Sequence, residues 1–176
     1  CKGVWNYKKY IGIPKGILKK YPDRIKLVSG DFSPCDGVYL IPHKTPGLEK
    51  KGIREHMYLK EKRRWKPDSF SHEQSLVFDT PDGLVIFNSC SHGGADTIIR
   101  EVTATFPDKK VKALIGGFHL YNKTDAEILA LAEGIRSTGI SEIYTGHCTG
   151  DHAFDLLKET LGESVHKLHA GLVMEF

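Results

Sequence analysis

Three histidines recur at nearly even intervals in the second half of the chain, each just after a short apolar run. His92, His119 and His147 are separated by 27 and 28 residues. Each interval is about one strand and one helix long, which is typical of a parallel sheet with crossover helices. Neighbouring parallel strands bring their carboxyl ends to one edge, where α/β sheets bind ligands. Because imidazole is the commonest protein ligand for metals, the pattern predicts a metal-dependent active site at this edge.

The segment 71–176 has the clearest pattern of secondary structure. Two apolar runs, 75–78 and 84–87, flank a Pro-Asp-Gly turn and predict a β-hairpin. After the hairpin, strands alternate with helices. The predicted strands are 111–115, 143–144 and 171–176, and the predicted helices are 96–105, about 124–138 and 153–161. The middle helix begins with a Thr124–Glu127 capping box and carries an apolar stripe at helical spacing.

The segment 10–66 is irregular by comparison. Two strands are predicted, at 25–28 and 38–41, followed by a long loop that begins at Pro42. The loop runs through a basic cluster at 60–66, in which five cations surround Trp65. Two interpretations of this cluster stay open: a solvated basic loop, or a rim that attracts a phosphorylated or carboxylated substrate.

Composition narrows the class of protein. A net charge of +3 over 176 residues argues against a dedicated nucleic-acid binder. No apolar stretch approaches the roughly 20 residues that span a membrane. The four cysteines (Cys1, Cys35, Cys90 and Cys148) are too scattered for a disulfide framework and favour a reducing cytoplasm. We therefore expect a small-molecule substrate, no nucleic acid and no membrane, and we leave homo-oligomerisation open.

The residues beside the three histidines strengthen the prediction of a metal site. Their contexts are Cys-Ser-His-Gly-Gly, Gly-Gly-Phe-His-Leu and Thr-Gly-His-Cys-Thr-Gly. Glycine beside a ligand lets the backbone turn sharply and approach a metal or substrate closely. The alternative is an α/β sheet whose edge histidines only form hydrogen bonds with loop carbonyls.

Taken in order, four strings of the sequence resemble the metallo-β-lactamase superfamily, in the branch similar to dihydropterin-type synthases. They are Ser-His-Glu-Gln-Ser-Leu-Val-Phe (71–78), Asn-Ser-Cys-Ser-His (88–92), Ile-Gly-Gly-Phe-His-Leu (115–120) and Tyr-Thr-Gly-His-Cys-Thr-Gly (144–150). The resemblance implies an α/β fold, a four-layer αββα sandwich, with one or two metal ions, usually zinc, between the edges of its sheets.

The resemblance also implies roles for particular residues. His92 and His147 match the family's metal ligands. His119 matches a family histidine that either binds the second metal or contacts substrate as an acid or base. In another register of the superfamily, His72 and Cys90 would bind metal instead of His92. Cys148 is either a nucleophile or a thiol packed behind the site.

The superfamily's His-x-His-x-Asp-His signature has no match in this sequence. We therefore expect the chain to be one domain, 1–176, that corresponds to the C-terminal two-thirds of the sandwich and is incomplete at its N-terminus. The predicted function is that of a metal-dependent hydrolase or related transferase, in which metal-activated water attacks a small, phosphorylated or pterin-like substrate. The alternative is a catalytically incomplete fragment, or an α/β binding module that needs a partner segment to form a metal site.

Overall fold

A computed structural model describes residues 2–4 and 7–176, with side chains from residue 9 onward. Cys1 lies outside the described residues. The strands are β1 (Lys2–Val4), β2 (Tyr7–Lys9), β3 (Phe32–Cys35), β4 (Val38–Pro42), β5 (Tyr58–Glu61), β6 (Arg64–Pro67), β7 (Gln74–Thr80), β8 (Gly83–Cys90), β9 (Val111–Gly117), β10 (Glu142–Thr145) and β11 (Val165–Lys167). The helices are α1 (Ile17–Lys20), α2 (Glu49–Arg54), α3 (Ala95–Thr105), α4 (Asp125–Arg136) and α5 (Asp151–Leu161), with short 3₁₀ helices at Pro22–Arg24, His147–Thr149 and Gly162–Ser164.

Seven strands form one mixed sheet, in the order β11-β10-β9-β8-β7-β4-β3. The four strands β8, β9, β10 and β11 are parallel, and β8, β7, β4 and β3 are antiparallel. The pairs β1–β2 and β5–β6 form two separate hairpins. Because β8, β9 and β10 are parallel neighbours, their carboxyl ends meet at one edge of the sheet. The predicted α/β class and the convergence of these three strands are confirmed.

The main core lies between one face of the sheet and the helices α3, α4 and α5. Along β8, Leu84 and Ile86 belong to this core, whereas Val85 belongs to a cluster on the opposite face. This alternation is the two-residue period of a strand. From the helices, the core takes apolar side chains at helical spacing, such as Ile128 and Ile135 of α4. No helix among the described residues has the length and apolar character needed to cross a bilayer.

The opposite face of the sheet is covered by the last residues of the chain, and the strand predicted at 171–176 is wrong. Met174 and Phe176 pack against the cluster of Val85, Ala113 and Ile115, while Val173 is 82% exposed. The alternating pattern therefore predicts which side chains turn inward. It does not predict hydrogen bonding, because this segment lies across the face of the sheet, and β11 occupies the sheet edge.

Most of the other predictions for 71–176 are confirmed. The β7–β8 hairpin pairs Thr80 with Gly83, so its turn consists of two residues. The capping box of α4 forms in both directions: Thr124 accepts from the Glu127 amide, and the Glu127 carboxylate accepts from the Thr124 amide. Helices α3 and α5 also lie where the sequence predicts them.

Two predictions for 10–66 are wrong. Residues 25–28 form no strand, and Leu27 is 77% exposed, because the sheet edge is occupied by β3, whose Pro34 suits an edge strand. The predicted long loop contains α2 and the β5–β6 hairpin, which carries the basic cluster. A small core of Leu48, Met57 and Phe70 stabilises this segment, and these three residues are too far apart in sequence to give a periodic pattern.

Candidate active site

Each of the three predicted histidines lies two residues beyond the end of its strand, but the structure brings only two of them into contact. The rings of His92 and His119 meet edge to face, with centroids 4.6 Å apart. His147 is the first residue of the short 3₁₀ helix after β10 and is exposed. The predicted role of His147 as a metal ligand stays a prediction.

Two of these histidines have a strained backbone. His119 has φ 51° and His147 has φ 53°, in the left-handed region that costs a non-glycine residue on the order of 1 kcal/mol or more. Neighbouring hydrogen bonds hold this conformation. The Phe118 amide donates to the buried Thr149 hydroxyl over 3.0 Å, and the Leu120 amide donates to the Cys148 carbonyl over 3.0 Å. The loops after β9 and β10 are therefore tied to each other at the site.

A chain of alternating carboxylates and imidazoles supports His92 from behind. Glu73 forms a short hydrogen bond with Nδ1 of His92, and its other oxygen lies 3.7 Å from Nε2 of His43. Nδ1 of His43 in turn lies 2.8 Å from the Glu101 carboxylate. Glu101 also accepts hydrogen bonds from the backbone amides of Lys44 and Thr45, each over 2.8 Å. This series of contacts thus links helix α3, which carries Glu101, and the residue before β7, Glu73, to the ring of His92.

The side chains of His43, Glu73 and Glu101 are held in their charged forms. Burial by itself lowers the pKa of His43, but the hydrogen bond to Glu101 and the nearby negative charge of Glu73 outweigh it and raise the pKa to about 9. Burial by itself raises the pKa of Glu101. The hydrogen bonds from His43 and the two amides outweigh this effect and lower the pKa to about 2. The pKa of Glu73 is also lowered, because its two histidine partners outweigh the effect of burial.

This arrangement fits a metal-binding histidine. A charged carboxylate only accepts hydrogen bonds, so Nδ1 of His92 is the donor to Glu73, and Nε2 is the ring nitrogen left to bind a metal. Metal-binding histidines usually have such a carboxylate on the second ring nitrogen. Phe70 stacks on His92 with centroids 5.4 Å apart and is almost fully buried. The ring orientation is therefore fixed from two sides.

A second group of metal-binding side chains lies at the same edge. The Sγ atoms of Cys90 and Cys148 are 2.9 Å apart, and the ligand atoms of Cys90, His119 and Cys148 all lie within 4.8 Å of one another. Burial, together with the hydrogen bond to Cys148, raises the pKa of the Cys90 thiol to about 12. The two roles predicted for Cys148, a nucleophile or a thiol packed behind the site, stay predictions.

A cavity of about 310 Å³ opens beside His92 and His119. Its cations are Lys51, Arg54 and Lys123, and its carboxylates are Glu55, Asp96 and Glu127. Glu55 is held by Lys123 and by Asn122; burial raises its pKa, but these contacts lower it to about 2. The basic cluster at 60–66 lies on the exposed β5–β6 hairpin, and the cations that line this cavity come from other segments.

His72, which the alternative register of the superfamily would make a metal ligand, lies at the surface. His72 is 56% exposed and lies 3.5 Å from the Asp68 carboxylate. Its neighbour Glu73, two residues from the buried Ser75, is instead the residue that reaches the site. Sequence reasoning missed Glu73, His43 and Glu101. The only signal was the position of Glu73 inside the first family-like string.

No protein-family model matches the chain. It is similar to the 7,8-dihydropterin-6-methyl-4-(beta-D-ribofuranosyl)-aminobenzene-5'-phosphate synthase of Methanocaldococcus jannaschii, with 33% identity over 120 residues. The aligned region covers 68% of this chain and 41% of that protein. Its structure is similar to the crystal structure of Tm1679, a metal-dependent hydrolase of the beta-lactamase superfamily, with a TM-score of 0.75, 28% identity, and coverage of 85% of this chain and 57% of that chain. A metallo-beta-lactamase from Erythrobacter litoralis matches more weakly, with a TM-score of 0.34 and 12% identity over 78% of this chain and 49% of that one. The chain thus spans between about two fifths and three fifths of the first two proteins.

Proposed function

The chain belongs to the metallo-β-lactamase superfamily, with the α/β fold that its sequence predicts, and we propose that it works in metal-dependent hydrolysis or a related transfer reaction. The proposed substrate is a small phosphorylated or pterin-like molecule. The observation that carries the proposal is the hydrogen bond that Nδ1 of His92 donates to Glu73 beside an open cavity. This contact fixes the orientation of the histidine ring and engages Nδ1, so that Nε2 is the nitrogen left to bind a metal.

In this proposal His92 and His147 bind a divalent transition metal, zinc or a similar ion, and one or two ions are bound in all. Such an ion, when bound, lowers the pKa of water to about 7 and so supplies a nucleophile at neutral pH. Glu73 holds the His92 ring in one tautomer, and Phe70 excludes water from the ring face. His119 lines the cavity next to His92, where it can contact either substrate or a second ion.

The cavity supports a small anionic substrate. Its volume of about 310 Å³ is at the low end of small-molecule sites. Lys51 donates a hydrogen bond to the Gly93 carbonyl, which fixes its ammonium group beside the start of α3. A cation in this position can bind a phosphate or carboxylate group of the substrate. The relative from Methanocaldococcus jannaschii is named for a phosphate-bearing product, which agrees with this choice.

The test is the metal content of protein purified without added metal, together with hydrolysis of nitrophenyl phosphate mono- and diesters. We expect at least one transition-metal ion per chain, and we expect a chelator to remove both the metal and the activity. His92→Ala and His147→Ala should each lower the metal content. His152→Ala is the matched control, because His152 is 73% exposed and paired with Asp125.

Two results would contradict the proposal. One is metal content that is unchanged in both site variants. The other is metal-free protein that stays metal-free when zinc is added. The second result would favour the alternative in which the chain forms its site only with a partner segment, and adding that segment should then restore metal binding.

A further inference from the structure

Three ligand-type side chains that the proposed function leaves unused, or only partly used, come from the ends of three neighbouring strands. Cys90 is the last residue of β8, His119 follows β9, and Cys148 lies in the 3₁₀ helix after β10. The two thiols are 58 residues apart in sequence and 2.9 Å apart in space. The third cysteine whose side chain is described, Cys35, is exposed. The close thiol pair is therefore a product of the fold at the site edge.

The backbone is built to accommodate this pair. A Cβ atom at Gly117 would lie 2.5 Å from Sγ of Cys148, so only glycine leaves room for the thiol at this position of β9. The His119 amide donates a hydrogen bond to Sγ of Cys148 over 3.3 Å. Amide hydrogen bonds of this kind stabilise a sulfur that carries negative charge. The same His119 supplies the third ligand atom, within 4.8 Å of both sulfurs.

We propose that Cys90, Cys148 and His119 form a three-ligand site for a thiophilic divalent cation of the zinc class. This site is separate in its ligands from the pair His92 and His147, so a thiolate band tests it apart from the metal content on which the proposed function depends. The sequence leaves two roles open for His119, a metal ligand or an acid or base that contacts substrate. In this proposal His119 is a metal ligand.

The ligand set determines the class of ion. Two sulfurs and one imidazole suit zinc and other soft or borderline metals, whereas magnesium, calcium and manganese prefer oxygen ligands. Three protein ligands leave a fourth tetrahedral position for water or substrate. With Zn–S bonds of about 2.3 Å, tetrahedral zinc holds two sulfurs roughly 3.8 Å apart. The pair would therefore open by about 0.9 Å from its present 2.9 Å when both thiols release their protons and bind.

Cobalt is the first probe, since it occupies zinc sites and gives a near-ultraviolet charge-transfer band only when sulfur binds it. Reduced, metal-free full chain is titrated with cobalt, and we expect this band to appear and to disappear when zinc is added. Cys90→Ser and Cys148→Ser should each weaken the band and lower cobalt affinity by tenfold or more. Cys35→Ser is the matched control and should leave the band unchanged.

A second measurement needs no variant. Reduced chain is alkylated with and without zinc, and the labelled cysteines are identified by mass spectrometry. We expect zinc to slow alkylation of Cys90 and Cys148 severalfold, while the exposed Cys35 reacts at an unchanged rate. The proposal is overturned by cobalt binding without a thiolate band, by a band of unchanged intensity in Cys148→Ser, or by equal alkylation with and without zinc.

Discussion

The Glu73 carboxylate accepts a hydrogen bond from Nδ1 of His92. Glu73 immediately precedes β7, and His92 follows β8, the strand that is antiparallel to β7. The ring of His92 is thus oriented by the protein itself before any ligand arrives. A carboxylate in this position both fixes the tautomer and makes the imidazole a better electron-pair donor. The first prediction tests this relationship.

Glu73→Gln should weaken metal binding. The amide keeps the size of the carboxylate but loses its charge, and it can also donate to Nδ1 and so favour the wrong tautomer of His92. We expect affinity for zinc to fall by roughly 10- to 100-fold, measured by competition with a chromophoric chelator. Glu163→Gln is the control, since Glu163 is 99% exposed. Equal affinity in the two variants would mean that Glu73 does not orient the ligand.

The ion pair of His43 and Glu101 should make stability depend on pH. His43 has a folded pKa of about 9, above its usual value of 6.5, so the stabilisation is fully present below pH 6.5 and is lost as pH rises through 9. Glu101 has a folded pKa of about 2, so its stabilisation is present above its usual value of 4.5 and is lost as pH falls towards 2. The pair should therefore stabilise the fold most between these two usual values.

The measurement is the free energy of unfolding in urea for the wild type and for His43→Gln, from pH 5 to pH 10. We expect the difference between the two proteins to shrink by at most about 3 kcal/mol across this range. His169→Gln should give a nearly constant difference, because His169 is an exposed side chain near the end of the chain. A constant difference for His43→Gln as well would show that the pKa of His43 is the same in the folded and the unfolded chain.

Gly117→Ala should destabilise the chain by about 1–3 kcal/mol, the usual cost of overpacking. The new methyl group would lie 2.5 Å from Sγ of Cys148 and 2.9 Å from the Ser89 carbonyl oxygen. Gly134→Ala is the comparison, since its methyl group would meet the movable end of Asp96 and alanine favours the helix. Chemical denaturation of both variants decides the matter: similar stability would contradict the close packing behind the thiol pair.

Thr124→Ala should lower the free energy of unfolding by about 1 kcal/mol, because it removes the hydroxyl that caps the first turn of α4. Thr103→Ala, at an exposed position inside α3, should be neutral or slightly stabilising, since alanine has the higher helix propensity. Thermal melts of the two variants provide the test. If both shift the melting temperature equally, the capping box does not stabilise the helix in solution.

The sequence predicts the parts of the site that depend on local periodicity. Apolar runs before His92 and His119 fix the strands, and parallel pairing of β8 with β9 then brings the two rings together. The same reasoning placed His147 at this edge, where it lies, but not its exposure. Exposure depends on the left-handed turn after β10, which a β-strand pattern does not encode.

The support behind His92 could not be predicted in the same way. His43 and Glu101 are 58 residues apart and meet only because β4 and α3 pack on the same sheet. The sequence indicates that both thiols lie near the site, since Cys90 and Cys148 are each within two residues of a predicted site histidine, but it does not indicate that they meet. Their distance depends on the register of three strands and on the space at Gly117, and neither is visible in a single sequence.

Because Cys90 and Cys148 are 58 residues apart in sequence, their contact can form only at a later stage of folding than local contacts. The β7–β8 hairpin is closed by a two-residue turn and needs no other part of the chain, so it can form early. Cys148 meets Cys90 only after β9 and β10 have joined the sheet, at a separation of 58 residues. On a ribosome, Cys90 emerges and remains unpaired while those residues are made. The site therefore assembles later than the hairpin, and an intact thiol pair marks a sheet in which β8, β9 and β10 have come together.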